Sequence, residues 1–199
     1  MKALIVVDVQ NDFLPGGNLA VPEGDAVVPF INEKMKEFDL VVATQDWHPP
    51  DHGSFASQHA GKRPGEIVEL NGLDQILWPD HCVQGSFGAS FASALNVAHI
   101  DYVVRKGMDR EVDSYSGFFD NGHKVDTGLR DWLKTHDVDE IYIAGLAGDF
   151  CVKFTALDGA SLGYRTFLYV AGTRAVNLEE GDFQRALEEM RDAGVGIIE

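Results

Sequence analysis

Residues 141–152 read IYIAGLAGDFCV, an apolar run followed by a glycine-containing turn and one cysteine. The run 141–144 indicates a buried strand and the residues after Cys151 indicate a helix, so the thiol falls at a strand-to-helix turn. The first N–H groups of a helix have no partner within it, and they favour a thiolate or a developing oxyanion. A free cysteine is nevertheless more often a small buried hydrophobic residue than a nucleophile. The function of Cys151 therefore depends on which other groups the fold brings to this turn.

Two other ionisable residues also follow predicted strands. Asp8 ends the apolar run 3–7, and Lys106 follows the run 100–104. In an open parallel α/β sheet, functional sites assemble at the carboxyl ends of the strands. There a carboxylate can accept the thiol proton, while the ammonium holds both groups in place for attack on a carbonyl carbon. Asp8 alone could be a turn former and Lys106 an ordinary exposed lysine, but together with Cys151 they predict a catalytic triad.

Apolar runs typical of strands alternate with helical patterns along the chain. The predicted strands lie near residues 3–8, 39–44, 100–105, 139–144, 165–170 and 195–198. The predicted helices lie near residues 25–37, 88–97, 124–135, 150–162 and 180–193. Such alternation implies parallel strands joined by right-handed crossovers. We therefore expect an α/β fold, a three-layer sandwich with a mainly parallel six-stranded sheet and helices on both faces, in a single domain spanning residues 1–199.

The long irregular stretch from Gln45 to Gly85 exceeds a usual connection between a strand and a helix, and loops of that length are commonly functional. It contains Asp46, His48 and His52 in one loop and His81 in a second loop. One carboxylate and three imidazoles suit a divalent transition metal, zinc above all, with iron or manganese as alternatives. His52 is the least secure of these ligands, because His59 or a water could take its place. The alternative interpretation is a set of solvated loop histidines.

The composition restricts the partners of the chain. With 16 basic and 32 acidic residues, the formal net charge is −16, which repels nucleic-acid phosphates and anionic lipids. We therefore expect neither nucleic-acid nor membrane partners. The two cysteines do not make a disulfide framework, and the short apolar run before Asp8 is too short for a signal peptide. These features predict a cytoplasmic protein, and they leave open whether it is a monomer or a homo-oligomer.

Several short segments match the motifs of one family in the same order. They are VDVQNDF at 7–13, DWHP at 46–49, HGSFASQH at 52–59, WPDHCV at 78–83, KG at 106–107, DSYSGFFDN at 113–121 and DFCVKF at 149–154. Over nearly its whole length the chain resembles the bacterial nicotinamidases, a family within the isochorismatase-like cysteine hydrolase superfamily. The resemblance implies an amidohydrolase that converts nicotinamide to nicotinic acid and ammonia through a thioester, as in NAD salvage, and that also hydrolyses pyrazinamide.

The resemblance also implies which residues form the site. The implied catalytic residues are Asp8, Lys106 and Cys151. The implied metal ligands are Asp46, His48, His52 and His81, which would hold one divalent ion. The backbone N–H groups of Ala147 and Cys151 would form the oxyanion hole, and a cis peptide bond would join Leu146 to Ala147.

Aromatic side chains near these segments suggest what is bound. Phe13, Trp78, Tyr115 and Phe150 all lie beside predicted site residues. They could form a flat apolar slot for a small neutral heteroaromatic amide, or they could equally pack the loops. By resemblance, Phe13, Trp78 and Tyr115 fall on substrate-contacting positions.

Two residues depart from the family pattern and leave substrate preference and rate open. Gly148 stands where the family usually has threonine, and Phe150 stands where tyrosine is commoner. Two other functions remain as alternatives: another amide or ureido-acid hydrolase of the same superfamily, and a catalytically silent metal-binding protein of this fold. The intact triad disfavours the silent protein. Isochorismate hydrolysis is also disfavoured, because it needs no thiol nucleophile.

Overall fold

Six of the eight strands form one sheet in the computed structural model, which describes all residues 1–199. The strands are β1 (Lys2–Val7), β2 (Leu40–Asp46), β3 (Ile67–Leu70), β4 (Leu73–Ile76), β5 (Tyr102–Lys106), β6 (Glu140–Gly145), β7 (Arg165–Thr173) and β8 (Gly196–Ile198). The helices are α1 (Val27–Met35), α2 (Leu129–Thr135), α3 (Cys151–Ser161) and α4 (Asp182–Asp192). None of these helices has the length and hydropathy needed to cross a membrane.

The sheet order is β5-β2-β1-β6-β7-β8, and every neighbouring pair is parallel. The prediction of a mainly parallel six-stranded sheet is therefore confirmed. Because the strands run in one direction, the carboxyl ends of β1, β2, β5 and β6 meet at the same edge. Asp8, Asp46, Lys106 and the turn before Cys151 follow or end these four neighbouring strands. The topology alone thus brings the predicted site residues to one place.

Both faces of the sheet are buried, which is why β1 reads as a continuous apolar run. Successive side chains of a strand point to opposite faces, so Ile5 packs with one core cluster and Leu4 with the other. Helices α2, α3 and α4 cover the first face, with Leu133, Val152 and Met190 among the buried contacts. Helix α1 covers the second face together with an irregular segment. The result is the expected three-layer arrangement.

The prediction of a helix over residues 88–97 is wrong. This segment forms only bends and turns, with a short 3-10 turn at Val97–His99. Its backbone bonds instead to the loop after β1, where the Ala92 N–H donates to Val9 O (2.9 Å) and the Asn11 N–H donates to Ser90 O (3.0 Å). Serine and asparagine side chains favour such non-helical conformations. Ala89 and Ala92 still pack in the core. The apolar spacing therefore indicated correctly that these residues are buried, but it indicated the wrong backbone conformation.

The other predicted helices form with shifted ends. The helix expected over 25–37 begins at Val27 after a 3-10 turn, and the one expected over 124–135 begins only at Leu129. Residues before Leu129 form turns, and Gly128 has a positive φ of 91°. The helices expected over 150–162 and 180–193 agree with α3 and α4 within two residues at each end.

The hairpin of β3 and β4 was not predicted; it lies inside the long stretch expected to be irregular. The strands pair antiparallel with Leu70 opposite Leu73, so the loop has only the two residues Asn71 and Gly72. Both have positive φ, 51° and 81°, as a type I′ turn requires. The Asn-Gly pair between two apolar-containing runs was the available signal. It was obscured because apolar and polar residues do not alternate along the two short strands, whose sequences are IVEL and LDQI.

Candidate active site

The Lys106 ammonium is at the centre of the site and is buried. Its Nζ lies 2.8 Å from Asp8 Oδ2 and 3.3 Å from Cys151 Sγ. It also donates hydrogen bonds to an Asp46 carboxylate oxygen and to Ser114 O, the latter at 2.9 Å. The structure therefore brings the three predicted triad residues into direct contact. It also joins them through Lys106 to the predicted metal ligand Asp46.

Asp8 is held by the neighbouring strand. The Thr44 hydroxyl donates to Asp8 Oδ1 at 2.6 Å, and the Asp8 N–H donates back to Thr44 Oγ1 at 3.2 Å. The backbone of Asp8 is in the left-handed region, with φ of 49°, which is uncommon for a residue other than glycine. These contacts turn the carboxylate away from the strand and toward Lys106 and Cys151.

Burial sets the protonation of the triad. It raises the pKa of Asp8 above its usual value, although the nearby Lys106 ammonium opposes that shift. Burial likewise raises the pKa of the Cys151 thiol well above its usual range. Burial alone would lower the pKa of Lys106, but the carboxylates of Asp46 and Asp8 outweigh it and hold this pKa well above its usual value. The resting site thus favours a neutral thiol beside a permanent cation and a carboxylate that is a stronger base than an ordinary aspartate.

The turn between β6 and α3 presents two free backbone donors. Cys151 is the first residue of α3, and its N–H has no acceptor within the protein; the same is true of the Ala147 N–H. The peptide bond between Leu146 and Ala147 is cis, as the resemblance implied. The N–H groups of Val152 and Phe150 are both used locally, donating to Ala147 O. The Asp149 N–H also lacks an acceptor, but only Ala147 and Cys151 line the pocket with the thiol, and theirs are the N–H groups expected to meet an oxyanion.

Three of the predicted metal ligands converge. His48 Nε2 lies 3.5 Å and His81 Nε2 lies 3.7 Å from Asp46 Oδ2, and all three side chains are buried. The Nδ1 of His48 bonds to Gly107 O (2.8 Å), and the Nδ1 of His81 bonds to Pro79 O (2.7 Å). A carbonyl oxygen can only accept, so each Nδ1 carries the proton and each Nε2 keeps its lone pair toward Asp46. The buried His48 Nε2 has no hydrogen-bond partner, which fits a metal ligand.

The structure does not bring His52 into this set. Its ligand atom groups instead with His48 and Asp113. The Ser54 N–H, which can only donate, points at His52 Nδ1 at 3.2 Å, and burial lowers the pKa of His52 to about 4. The Ser54 hydroxyl also lies 2.7 Å from Nδ1, and the buried Nε2 has no hydrogen-bond partner, so position and not protonation separates His52 from the group of Asp46, His48 and His81. His59, the alternative to His52, bonds to Gly53 O and belongs to neither group.

The four predicted aromatic residues line one small pocket with the nucleophile. Trp78 and Phe150 meet edge to face with ring centroids 4.9 Å apart, and Tyr115 lies 5.5 Å from Phe150. Phe13 lies 5.6 Å from the His81 ring. The other lining residues are Leu19, Asp46, His81, Asp113, Ala147, Cys151 and Val176. A planar molecule in this pocket therefore touches the thiol, the free donors and the metal-binding set together.

Two buried polar residues of the site were missed from the sequence. Gln10 Nε2 donates to Asp46 O and the Asp46 N–H donates to Gln10 Oε1, both at 2.8 Å, so this side chain fixes the end of β2. Asp113 is buried and lines the pocket. Both residues belong to the matching segments 7–13 and 113–121, but neither adjoins a predicted strand end that would have indicated chemistry.

The structure explains the departure at Gly148. A Cβ atom on this residue would lie 2.5 Å from the ring of Phe183 and 2.9 Å from Thr173 Cγ2. Phe183, on α4, therefore occupies the space that a larger side chain would need. Phe150, the second departure, presents an apolar ring to Trp78.

We expect Gly148→Thr to destabilise the protein by about 1–3 kcal/mol, because it overpacks a filled space. Thermal unfolding measures this as a lower Tm. The double variant Gly148→Thr/Phe183→Leu should recover part of the loss, because the smaller side chain relieves the contact. An unchanged Tm in the single variant would show that Phe183 does not account for the glycine.

Comparison with known proteins gives the family. The family model for the isochorismatase domain matches residues 2–199. The nicotinamidase of Escherichia coli K12 is 49% identical over 200 residues, covering 98% of this chain and 93% of that protein. The yeast nicotinamidase bound to the inhibitor nicotinaldehyde has a TM-score of 0.95 with 34% identity, covering 100% of both chains. The pyrazinamidase of Pyrococcus horikoshii in complex with zinc has a TM-score of 0.80 with 36% identity, covering 100% of this chain and 98% of that one. The chain therefore belongs to the isochorismatase family.

Proposed function

We propose that this protein hydrolyses nicotinamide to nicotinic acid and ammonia, and that it also hydrolyses pyrazinamide. The observation that carries the proposal is the single aromatic pocket into which Cys151, two free N–H donors and a metal-binding set all open. The relatives support it, since one is a nicotinamidase at 49% identity and another holds nicotinaldehyde. From the sequence, we place the reaction in cytoplasmic NAD salvage.

The first half of the reaction forms a thioester. Asp8 accepts the proton of the Cys151 thiol, and the thiolate adds to the amide carbon. The N–H groups of Ala147 and Cys151 bind the resulting oxyanion. When the carbonyl reforms, the C–N bond breaks and Asp8 returns its proton to the leaving nitrogen, which departs as ammonia. Lys106 contacts both the Asp8 carboxylate and the Cys151 sulfur, and it keeps them close together through both steps.

The second half hydrolyses the thioester. Asp8, now again a carboxylate, accepts a proton from water as its oxygen adds to the thioester carbon. The same two N–H groups bind the second oxyanion. The C–S bond then breaks, the sulfur recovers its proton from Asp8, and nicotinic acid leaves.

We further propose that Asp46, His48 and His81 hold one divalent transition metal ion, with zinc the first choice. Nitrogen ligands with free Nε2 lone pairs and a carboxylate suit zinc, iron or manganese, and the Pyrococcus relative was obtained with zinc. When bound, the ion supplies a Lewis-acid contact for the ring nitrogen of the substrate. We do not assign His52 to this set, because its ligand atom groups with His48 and Asp113 and not with Asp46 and His81.

The charges of the pocket favour a neutral amide over a ureido acid. The pocket lining includes the carboxylates of Asp46 and Asp113 but no lysine or arginine. A ureido acid is anionic, and apart from the proposed metal ion, which would bind the substrate ring nitrogen, this lining offers no cation for its carboxylate. Hydrolysis of such substrates, the alternative within the superfamily, is therefore the weaker proposal.

Ammonia release from a panel of amides tests the proposed substrate. Nicotinamide and pyrazinamide each present a ring nitrogen, whereas benzamide has the same shape without it. A site built for a polar partner rejects an analogue that lacks it by up to ~10⁴-fold in kcat/KM, so we expect benzamide to be a very poor substrate. Equal kcat/KM values for nicotinamide and benzamide would instead identify a general amidase. Absence of ammonia release from every amide would support the catalytically silent protein.

A further inference from the structure

Gln75 is the one buried residue of the β3–β4 hairpin, whose other residues are exposed or half-buried. Its side chain lies on the inner side of β4 with an exposed fraction of 3%. A buried amide is costly unless its hydrogen bonds are satisfied, so its partners indicate why a glutamine stands there.

The Gln75 amide bonds to groups that belong to the pocket. Its Nε2, which has two hydrogens to share, lies within hydrogen-bond distance of three acceptors: Tyr115 OH (3.1 Å), Asp113 Oδ2 (3.3 Å) and the backbone oxygen of Ile76 (2.7 Å). The Trp78 indole N–H donates to the same Tyr115 oxygen at 3.1 Å. The tyrosine oxygen thus receives two donors, which uses both of its lone pairs and ties the phenol to the indole.

Tyr115, Asp113 and Trp78 line the pocket, whereas Gln75 and Ile76 do not. Trp78, Tyr115 and Asp113 form one part of its wall, and Gln75 holds them together from behind. The position of this part of the wall limits the slot available to a planar substrate. Gln75 is therefore placed to control substrate fit without touching the substrate or any reacting atom.

We propose that Gln75 is a positioning residue that fixes the Trp78–Tyr115 wall and thereby decides which aromatic ring the enzyme accepts. The inference rests on the proposed hydrolysis of nicotinamide. It gives the hairpin a function: to carry one buried amide to the back of the pocket wall.

The first test replaces Gln75 with leucine. Because the triad and the oxyanion donors are untouched, kcat for nicotinamide should stay within about twofold, while KM should rise about tenfold, the loss expected for one buried hydrogen bond. The matched control is Gln58→Leu, the same change at an exposed glutamine whose side chain bonds only to Ser57 Oγ. This control should leave both constants unchanged. An unchanged KM in a folded Gln75→Leu protein would overturn the proposal, and so would a fall in kcat with KM unchanged.

A double-mutant cycle tests whether Gln75 acts through Tyr115. Tyr115→Phe removes the shared oxygen and should itself raise KM. In that background, adding Gln75→Leu should change KM by less than about twofold, because the two residues act as a unit. Additive effects on KM would show that Gln75 acts elsewhere.

Substrate choice gives a third readout, which loss of stability alone would not change. Quinoline-3-carboxamide keeps the pyridine carboxamide and adds a fused ring. The preference of the wild type for nicotinamide over this amide, as a ratio of kcat/KM values, should fall in Gln75→Leu and stay constant in Gln58→Leu. A constant ratio in both variants would contradict control of ring fit by Gln75.

Gln75→Met keeps the experiment decisive if Gln75→Leu does not fold. It keeps the unbranched shape and nearly the volume of glutamine and removes the N–H donors, so KM should again rise, with the fold verified by thermal unfolding. A wild-type protein that releases no ammonia from nicotinamide would refute the proposed function. A wild-type protein that does so, with unchanged KM and ring preference in both Gln75 variants, would refute only the role of Gln75.

Discussion

Cys151→Ala abolishes nicotinamide hydrolysis and leaves the fold intact: this is the largest effect that we expect from a single substitution. Removing the nucleophile of a catalytic triad typically costs about 10⁶-fold in kcat, because the alternative is direct attack by water. The side chain is small and its neighbours belong to the core, so the protein should still unfold cooperatively near the wild-type Tm. Ammonia release measures the activity, and mass spectrometry of quenched wild-type enzyme should detect an acyl group on Cys151.

Cys82→Ala is the matched control, because the chain contains only these two cysteines. Cys82 is fully buried, and it does not line the pocket. Its loss should lower stability slightly and leave most of the activity. Turnover of nicotinamide by Cys151→Ala would show that the thioester mechanism is wrong, and an inactive but folded Cys82→Ala would direct the search for a nucleophile there.

The second large effect concerns the metal. Purified protein should contain about one divalent transition metal ion per chain, and His48→Ala should lose the ion and the activity together. His48 has its proton fixed on Nδ1 by Gly107 O, which leaves Nε2 free beside Asp46. Elemental analysis of the protein measures the content directly, and a chelator followed by added zinc should remove and restore both properties.

His52→Ala is the matched control for His48→Ala. This histidine is as deeply buried as His48 and its ring centroid lies 4.3 Å away, but its ligand atom does not group with those of Asp46 and His81. We expect His52→Ala to retain most of its metal. Equal loss of metal in both variants would make His52 a direct ligand, as the resemblance implied. Full activity in protein shown to contain no metal would remove the ion from the reaction.

The strand-end positions of the triad could be predicted from the sequence for a simple physical reason. An apolar run that ends at an acid or an amine indicates both a buried strand and the place where it ends. Since consecutive strands joined by helices run parallel, those ends meet at one edge. The strand order of the fold then places Asp8, Lys106 and the turn of Cys151 close together, because β5, β2, β1 and β6 are neighbours. The helix predicted over 88–97 failed because apolar spacing reports burial and does not report where backbone hydrogen bonds go.

The sequence by itself determined the parallel sheet, the edge at which the site forms and the residue types that gather there. Tertiary structure alone decided which imidazoles can bind a metal, why Gly148 is needed and what Gln75 holds. Each of these depends on contacts between residues far apart in the chain: His48 is fixed by Gly107, Gly148 is covered by Phe183, and Gln75 bonds to Tyr115. Periodicity reports the local environment of a residue. The direction of a ring proton or a buried amide is set by the partner that the fold brings to it.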